Sequence, residues 1–143
     1  MSGHVFRHIH RVTYAECTSG NHVYYARYLD ILEESRGEFF RSLGVPLLGW
    51  QAEGAAFPVV ESRLQYKSPA RYDDLLTIEL WLRELGRVRL TFAYRIVNQD
   101  ARLIAEGDTA HVCTTLTDKP RRIPGSLVTL LDPYRPQTAT ASE

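Results

Sequence analysis

Four segments in the second half of the chain, FPVVESRLQYKS, LLTIELWLREL, RVRLTFAYRIVN and RLIAEGDTAHVCTTL, alternate apolar and polar side chains with a period of two. Val60, Ser62, Leu64 and Tyr66 share one parity, as do Val88, Leu90, Phe92, Tyr94 and Ile96. Successive side chains of a strand point to opposite faces, so such runs give a sheet with one apolar face. The intervening turns, PARYDD, GR and NQDA, are too short to hold crossover helices and predict antiparallel neighbours in a meander. An apolar sheet face needs a cover. The one long segment able to provide it is residues 26–43, where Leu29, Leu32, Arg36, Phe39, Phe40 and Leu43 recur at helical spacing. Gly44, followed by Val45 and Pro46, stops that helix. The expectation is an α+β domain in which a curved sheet wraps one long helix.

The rest of the chain fits around this core. Residues 5–14 alternate as an edge strand, with Phe6, His8, His10, Val12 and Tyr14 on one face and Val5, Arg7, Ile9 and Arg11 on the other. His4, His8 and His10 lack metal-site spacing and any nearby thiolate, so they read as surface histidines, with His8 and His10 side by side on a solvated face. Residues 45–57 form a connection holding Gly49, Trp50 and Gly54, and the end, PYRPQTATASE, reads as a frayed tail from about residue 133. With 143 residues the chain suffices for one domain with its own core. Lys plus Arg equals Asp plus Glu at 17 each, which gives no overall attraction to nucleic acid or an anionic membrane. Cys17 and Cys113 make neither a metal motif nor a disulfide framework, and imply a reducing, cytoplasmic setting. The N-terminal MSGHVFRHIHRV has no signal-peptide core, and no window nears the roughly 20 apolar residues of a membrane span.

Chemistry concentrates just before the helix. Glu16, Cys17, Thr18, Ser19, Asn21 and His22 place a carboxylate, a thiol, two hydroxyls, an amide and an imidazole within seven positions. A helix N-terminus has unpaired N–H groups and the positive end of the helix dipole, both suited to a carbonyl oxygen that gains charge. The donors expected here are the amides around His22 to Tyr25. The same TSGN residues would also serve simply to turn the chain and cap the helix. Arg36 falls close to the apolar helical face, where a guanidinium needs a partner or a polar pocket; Glu33, one turn earlier, is a candidate partner.

The order of these elements and their motifs resemble a known family. NHVYYARYLDILEESRGEFFRSLG resembles the loop-helix signature of the 4-hydroxybenzoyl-CoA thioesterase and YbgC-like acyl-CoA thioesterases, D-T-D-x-x-G-H-V-x-x-x-x-Y-x-x-x-x-E-x-x-R. FPVVESRLQYKSPARYDDLLTIEL, GRVRLTFAYRIV, AEGDTAHVCTT and DKPRRIP resemble its later segments, so the likeness covers residues 5 to about 128. It implies the hotdog fold, hydrolysis of an acyl-CoA carrying a medium-chain, branched or aromatic acyl group, no metal or redox cofactor, and a homodimer or homotetramer that pairs sheets edge to edge, with RLTFAYRIV or AHVCTT expected as the open edge strand.

The departures matter as much. In the family the second acid of D-T-D attacks the thioester or activates water; here the triplet is Glu16, Cys17, Thr18, and the position carries a hydroxyl. Asn21 replaces the glycine before His-Val, a mild change because Asn tolerates left-handed backbone. A branch acting on enediyne polyketides also has an uncharged side chain at the Thr18 position and an arginine at that of Arg36. The resemblance thus implies Thr18, Glu16, His22 and Arg36 as catalytic candidates, with Asn21, Tyr24 and Tyr25 beside the substrate. Arg71, Arg89, Lys119, Arg121 and Arg122 are candidates for the CoA phosphates. Tyr28 and Trp50 suit either an acyl pocket or the core. Two rivals stay open: release of an acyl chain from an acyl carrier protein, and a non-catalytic protein that binds acyl thioesters.

Overall fold

The computed structural model describes residues 3–136. Strand β1 (Phe6–Arg11) leads through a loop into helix α1 (Arg27–Ser42) and a short helix α2 (Leu47–Ala52). Strands β2 (Val59–Tyr66), β3 (Leu75–Leu85), β4 (Arg89–Val97) and β5 (Leu103–Val112) follow, then helix α3 (Gly125–Leu131). All five strands form one antiparallel sheet in the order β1-β3-β4-β5-β2. This is the hotdog arrangement, a sheet curved around one long helix. Among the described residues no helix is long and apolar enough to cross a membrane.

Register brings Leu80, Tyr94 and Gly107 abreast on the inner face, and next to them Leu82, Phe92 and Thr109. Against this face α1 buries Tyr28, Ile31, Leu32, Ser35, Phe39 and Phe40. The buried stripe is rotated from the one read in the sequence: Leu29 is exposed and Arg36 lies at the margin. Ser35 tolerates the interior because its hydroxyl donates to the Ile31 carbonyl at 2.9 Å. Phe39 meets Phe40 and Phe92 edge to face with centroids 5.9 Å apart, and deleting such a ring costs about 3–5 kcal/mol.

Several sequence expectations change. β2 pairs with β5, not β3, so the PARYDD segment crosses between non-neighbours instead of closing a hairpin. RLTFAYRIV and AHVCTT, expected as sheet edges, are interior; the edges are β1 and β2. Period-two alternation fixes faces but not strand order; β4 takes the centre, with Thr91 and Ala93 of its outer face buried as well. Gly107 permits the β2–β5 pairing, since a Cβ there would overlap the Arg63 carbonyl. His8 and His10 do not face solvent; they turn toward α1, half-buried. The connection after α1 contains α2, whose Trp50 packs in the core. The expected fraying fails for residues 133–136: the Pro133 carbonyl accepts from the His4 amide at 2.8 Å, and Tyr134 stands edge-on to Phe39 at 4.9 Å. Residues 137–143 of that tail lie outside the described residues.

Candidate active site

The loop between β1 and α1 is a tight turn held on both sides. The Thr18 amide donates to the His22 carbonyl at 2.9 Å and the Asn21 amide to the Thr18 carbonyl at 3.0 Å. Asn21 adopts φ 59°, the left-handed conformation in which Asn best replaces glycine. Its carbonyl accepts from the Arg71 guanidinium at 3.2 Å, and its side-chain oxygen accepts from the Tyr72 amide at 3.3 Å. The Val23 amide donates to Ala70 at 2.8 Å, which pins the loop to the segment before β3.

Two of the four amides expected as oxyanion donors are occupied, because Val23 donates to Ala70 and Tyr24 to the Glu16 carbonyl. The amides of His22, Tyr25 and Ala26 have no protein acceptor among the described residues. Beside them opens a pocket of about 530 Å³ with Thr18 and His22 on its wall. Tyr24, Tyr25, Tyr28 and Tyr66 supply its aromatic surface, with centroid separations of 4.8 Å for Tyr24–Tyr25, 6.3 Å for Tyr25–Tyr66 and 5.5 Å for Tyr28–Tyr66. Burial pushes the Tyr28 phenol up from its ordinary pKa and keeps it protonated. Among the described residues Lys67, at the rim, has no acidic partner, and no carboxylate lines the pocket. Such a space accepts an apolar or aromatic group and offers donors to one polar end.

The Thr18 hydroxyl accepts from the Gly20 amide at 3.3 Å and donates to the His22 carbonyl at 3.4 Å, both long bonds that a water can replace. The His22 ring lies beside Gly20 and Thr18. Glu16 is tied elsewhere: both its oxygens accept from His10 Nε2, at 2.9 and 3.0 Å, and one accepts from the Thr13 amide at 2.8 Å. Its carboxylate is therefore engaged away from the pocket. Cys17 is held as a thiol, its pKa raised first by burial and then by the Glu16 and Asp74 charges, which leaves it a poor nucleophile.

Glu34 on α1 accepts from His8 Nε2 at 2.5 Å and from His10 Nδ1 at 2.9 Å. Donating from both nitrogens makes His10 an imidazolium between two carboxylates. Burial opposes that charge, but the hydrogen bonds and charges of Glu16 and Glu34 together raise its pKa.

Arg36 does not pair with Glu33. Its Nη1 donates to the Tyr94 hydroxyl at 3.0 Å, and no carboxylate of the described residues lies within ion-pair distance. Eight residues beyond Tyr28 on α1, it stands about 12 Å further along the helix axis and is not on the wall of the tyrosine pocket. Of the basic candidates only Arg71 reaches the loop. Arg89 pairs with Glu61 at 3.8 Å and Glu84 at 3.6 Å on the outer sheet face. Lys119 sits in a turn closed by Thr115, and Arg121 donates to the Glu53 carbonyl at 3.1 Å. Arg121 and Arg122 join Arg87 in a second cleft of about 530 Å³. That cleft lies where β4 begins and β5 ends, roughly 25–30 Å of strand from the loop. Sequence reading passed over Tyr66 and Lys67 on the pocket wall, and Tyr94, Thr109 and His111 beneath Arg36. The last two carried a signal: Thr109 and His111 sit at the inward parity of β5, where apolar residues belong.

Comparison with known proteins agrees with this architecture. The model of the Thioesterase-like superfamily matches residues 12–131. The acyl-CoA thioester hydrolase YbgC of Escherichia coli O6:H1 is 35% identical over 90% of this chain and 96% of its own. The 1,4-dihydroxy-2-naphthoyl-CoA hydrolase of Synechococcus elongatus is 27% identical over 71% of this chain and 76% of its own. A hypothetical protein from Thermus thermophilus superposes with a TM-score of 0.85 at 31% identity, over 92% of this chain and 98% of its own. The chain belongs to the Thioesterase-like superfamily and is a thioester hydrolase.

Proposed function

We propose that this protein hydrolyses the thioester of an acyl-CoA whose acyl group is aromatic, branched or of medium length. The observation that carries the reading is the tyrosine-lined pocket opening beside Thr18, His22 and the unpartnered amides of Tyr25 and Ala26. The acyl group packs against the rings, and the thioester oxygen takes hydrogen bonds from those amides as it gains charge. With no carboxylate on the wall, the Thr18 hydroxyl orients a water and the His22 imidazole accepts its proton as the water oxygen attacks the carbonyl carbon. The C–S bond then breaks, the thiolate leaves and takes up a proton, and the free acid remains. A relative that acts on a naphthoyl-CoA supports an aromatic acyl group. Lys67 on the pocket wall and Arg71 at the loop favour the phosphates of CoA over a carrier protein. The free thiols of Cys17 and Cys113 suit the cytoplasm.

The working unit is a dimer joined through β2. That strand is exposed almost throughout, with Val60 at 53% and Tyr66 at 49%, and its outer ladder is open. Antiparallel pairing of two β2 edges sets two copies of α1 antiparallel and carries the loop of one toward Arg36 of the other. Arg36 then supplies charge to a site whose Thr18 belongs to its neighbour. A panel of aromatic, branched and straight-chain acyl-CoAs with thiol release monitored tests the reaction, and binding without turnover of any ester would overturn it. Mixing Thr18→Val with Arg36→Met tests the shared site: activity returns in mixed dimers if each supplies the group the other lacks.

A further inference from the structure

Between α1 and the inner sheet face runs a chain of hydrogen bonds that no part of the loop chemistry uses. Arg36 Nη1 donates to the Tyr94 hydroxyl at 3.0 Å, Tyr94 and Thr109 oxygens stand 2.7 Å apart, and Thr109 Oγ1 is 2.8 Å from His111 Nε2. His111 Nδ1 is 2.9 Å from the Phe57 carbonyl. Tyr94, Thr109 and His111 are all at least 98% buried.

The protons in this chain have one arrangement. A carbonyl only accepts, so His111 Nδ1 carries the hydrogen toward Phe57 and Nε2 must accept from Thr109. Thr109 has then spent its proton, so its oxygen accepts from Tyr94. The Tyr94 oxygen, its own proton spent, accepts from Arg36. Burial, aided by the Arg36 charge, lowers the His111 pKa to about 4 despite its bond to Phe57, so the ring is neutral at ordinary pH. Every bond points the same way, from a permanent cation to a neutral acceptor.

This arrangement is unusual for a core arginine. A half-buried guanidinium normally meets a carboxylate; among the described residues this one has a single neutral partner and four N–H groups to spare. A chain of three buried groups ending on a backbone carbonyl fixes its angle without cancelling its charge.

We propose that Tyr94, Thr109 and His111 are positioning residues for the hydrolytic reaction, holding the Arg36 guanidinium so that its remaining N–H groups face the oxyanion formed on the thioester. This rests on the role given to Arg36 above. The test is a double-mutant cycle on kcat and KM with the best acyl-CoA of the panel, in variants whose folding is checked by thermal melting. Tyr94→Phe, which removes one oxygen and keeps the ring, is expected to lower kcat about tenfold with KM unchanged. In an Arg36→Met background it is expected to cost nothing further. Thr109→Val should repeat the loss and Thr109→Ser restore it. Full activity of Tyr94→Phe and Thr109→Val beside an inactive Arg36→Met overturns the positioning role alone, as do losses that simply add. A fully active Arg36→Met overturns the Arg36 role and the positioning role with it. A proton-detected nitrogen spectrum gives an answer independent of activity: His111 should show the neutral tautomer with its proton on Nδ1, and a proton on Nε2 would overturn the inference.

Discussion

Two polar regions flank α1, and their charges are handled in opposite ways. On the β1 side, Glu34 gathers His8 and His10, and His10 in turn holds Glu16, so each charge has a counter-charge within 3 Å. On the other side, Arg36 looks onto three neutral buried groups and meets no acid. Glu34 and Arg36 are two residues apart, about 200° around the helix. The balanced region ties strand, helix and loop together and asks for no ligand. The unbalanced one keeps its cation in place and leaves it unneutralised, an arrangement that adds little to stability and becomes useful when an anion forms nearby.

The largest expected effect separates the two histidines by pH. His111 titrates far below its unfolded value of about 6.5, so its contribution is full above that pH and falls as pH drops toward 4, a loss on the order of 3 kcal/mol. Urea unfolding between pH 7 and 4 should show this slope, and His111→Gln should remove it; an unchanged slope breaks the contrast. Next comes Arg36→Lys, which keeps the charge but not the planar fork. It should lower kcat/KM roughly thirtyfold, about 2 kcal/mol, with little change in Tm. A variant that melts early yet stays active would make Arg36 structural, like Glu34.

Smaller effects sharpen the loop side. Thr18→Val should reduce kcat about tenfold by removing the hydroxyl that orients water, whereas Thr18→Asp should retain or raise the rate. Unchanged rates in both remove Thr18 from the reaction. Smallest is His10→Gln, expected to cost about 1 kcal/mol near pH 6 and to leave kcat within about twofold. The raised pKa of His10 makes its contribution full below about 6.5 and lost as pH climbs through the folded value. The lowered pKa of Glu34 arises although burial opposes it, through its bonds to His8 and His10; its contribution is present above about 4.5 and lost on acidification. The penalty should therefore peak at mildly acidic pH; a flat profile of the difference from wild type would dissolve the bridge.

Local pattern carried the faces of the sheet, the helix and the chemical loop, because alternation, helical spacing and glycine stops each act over a few residues. Strand order was not legible. The PARYDD turn is as short as a hairpin loop, yet it crosses to β3 while β2 pairs with β5, a choice set by long-range packing. In the site, the substitution at Thr18 and the left-handed Asn21 were visible in the sequence. The capture of Glu16 by His10 was not, since nothing local says that a strand histidine and a loop carboxylate will meet. Arg36 was recognised as a charge needing an explanation, but its partner came from β4, 58 residues away.

Gly107 has a consequence for how this protein tolerates change. It sits where the backbone of β2 comes closest to β5, and a single methyl there would press on the Arg63 carbonyl. β2 ends in Tyr66 beside Lys67 on the pocket wall and presents the open edge through which we propose that two copies join. Gly107→Ala therefore acts on pocket and assembly together without touching either. On the proposed dimer such an allele is expected to be conditional: passable at low temperature and high protein concentration, where association would press the strand back into place, and failing on warming or dilution. A position with no side chain at all thus constrains strand, pocket and edge together.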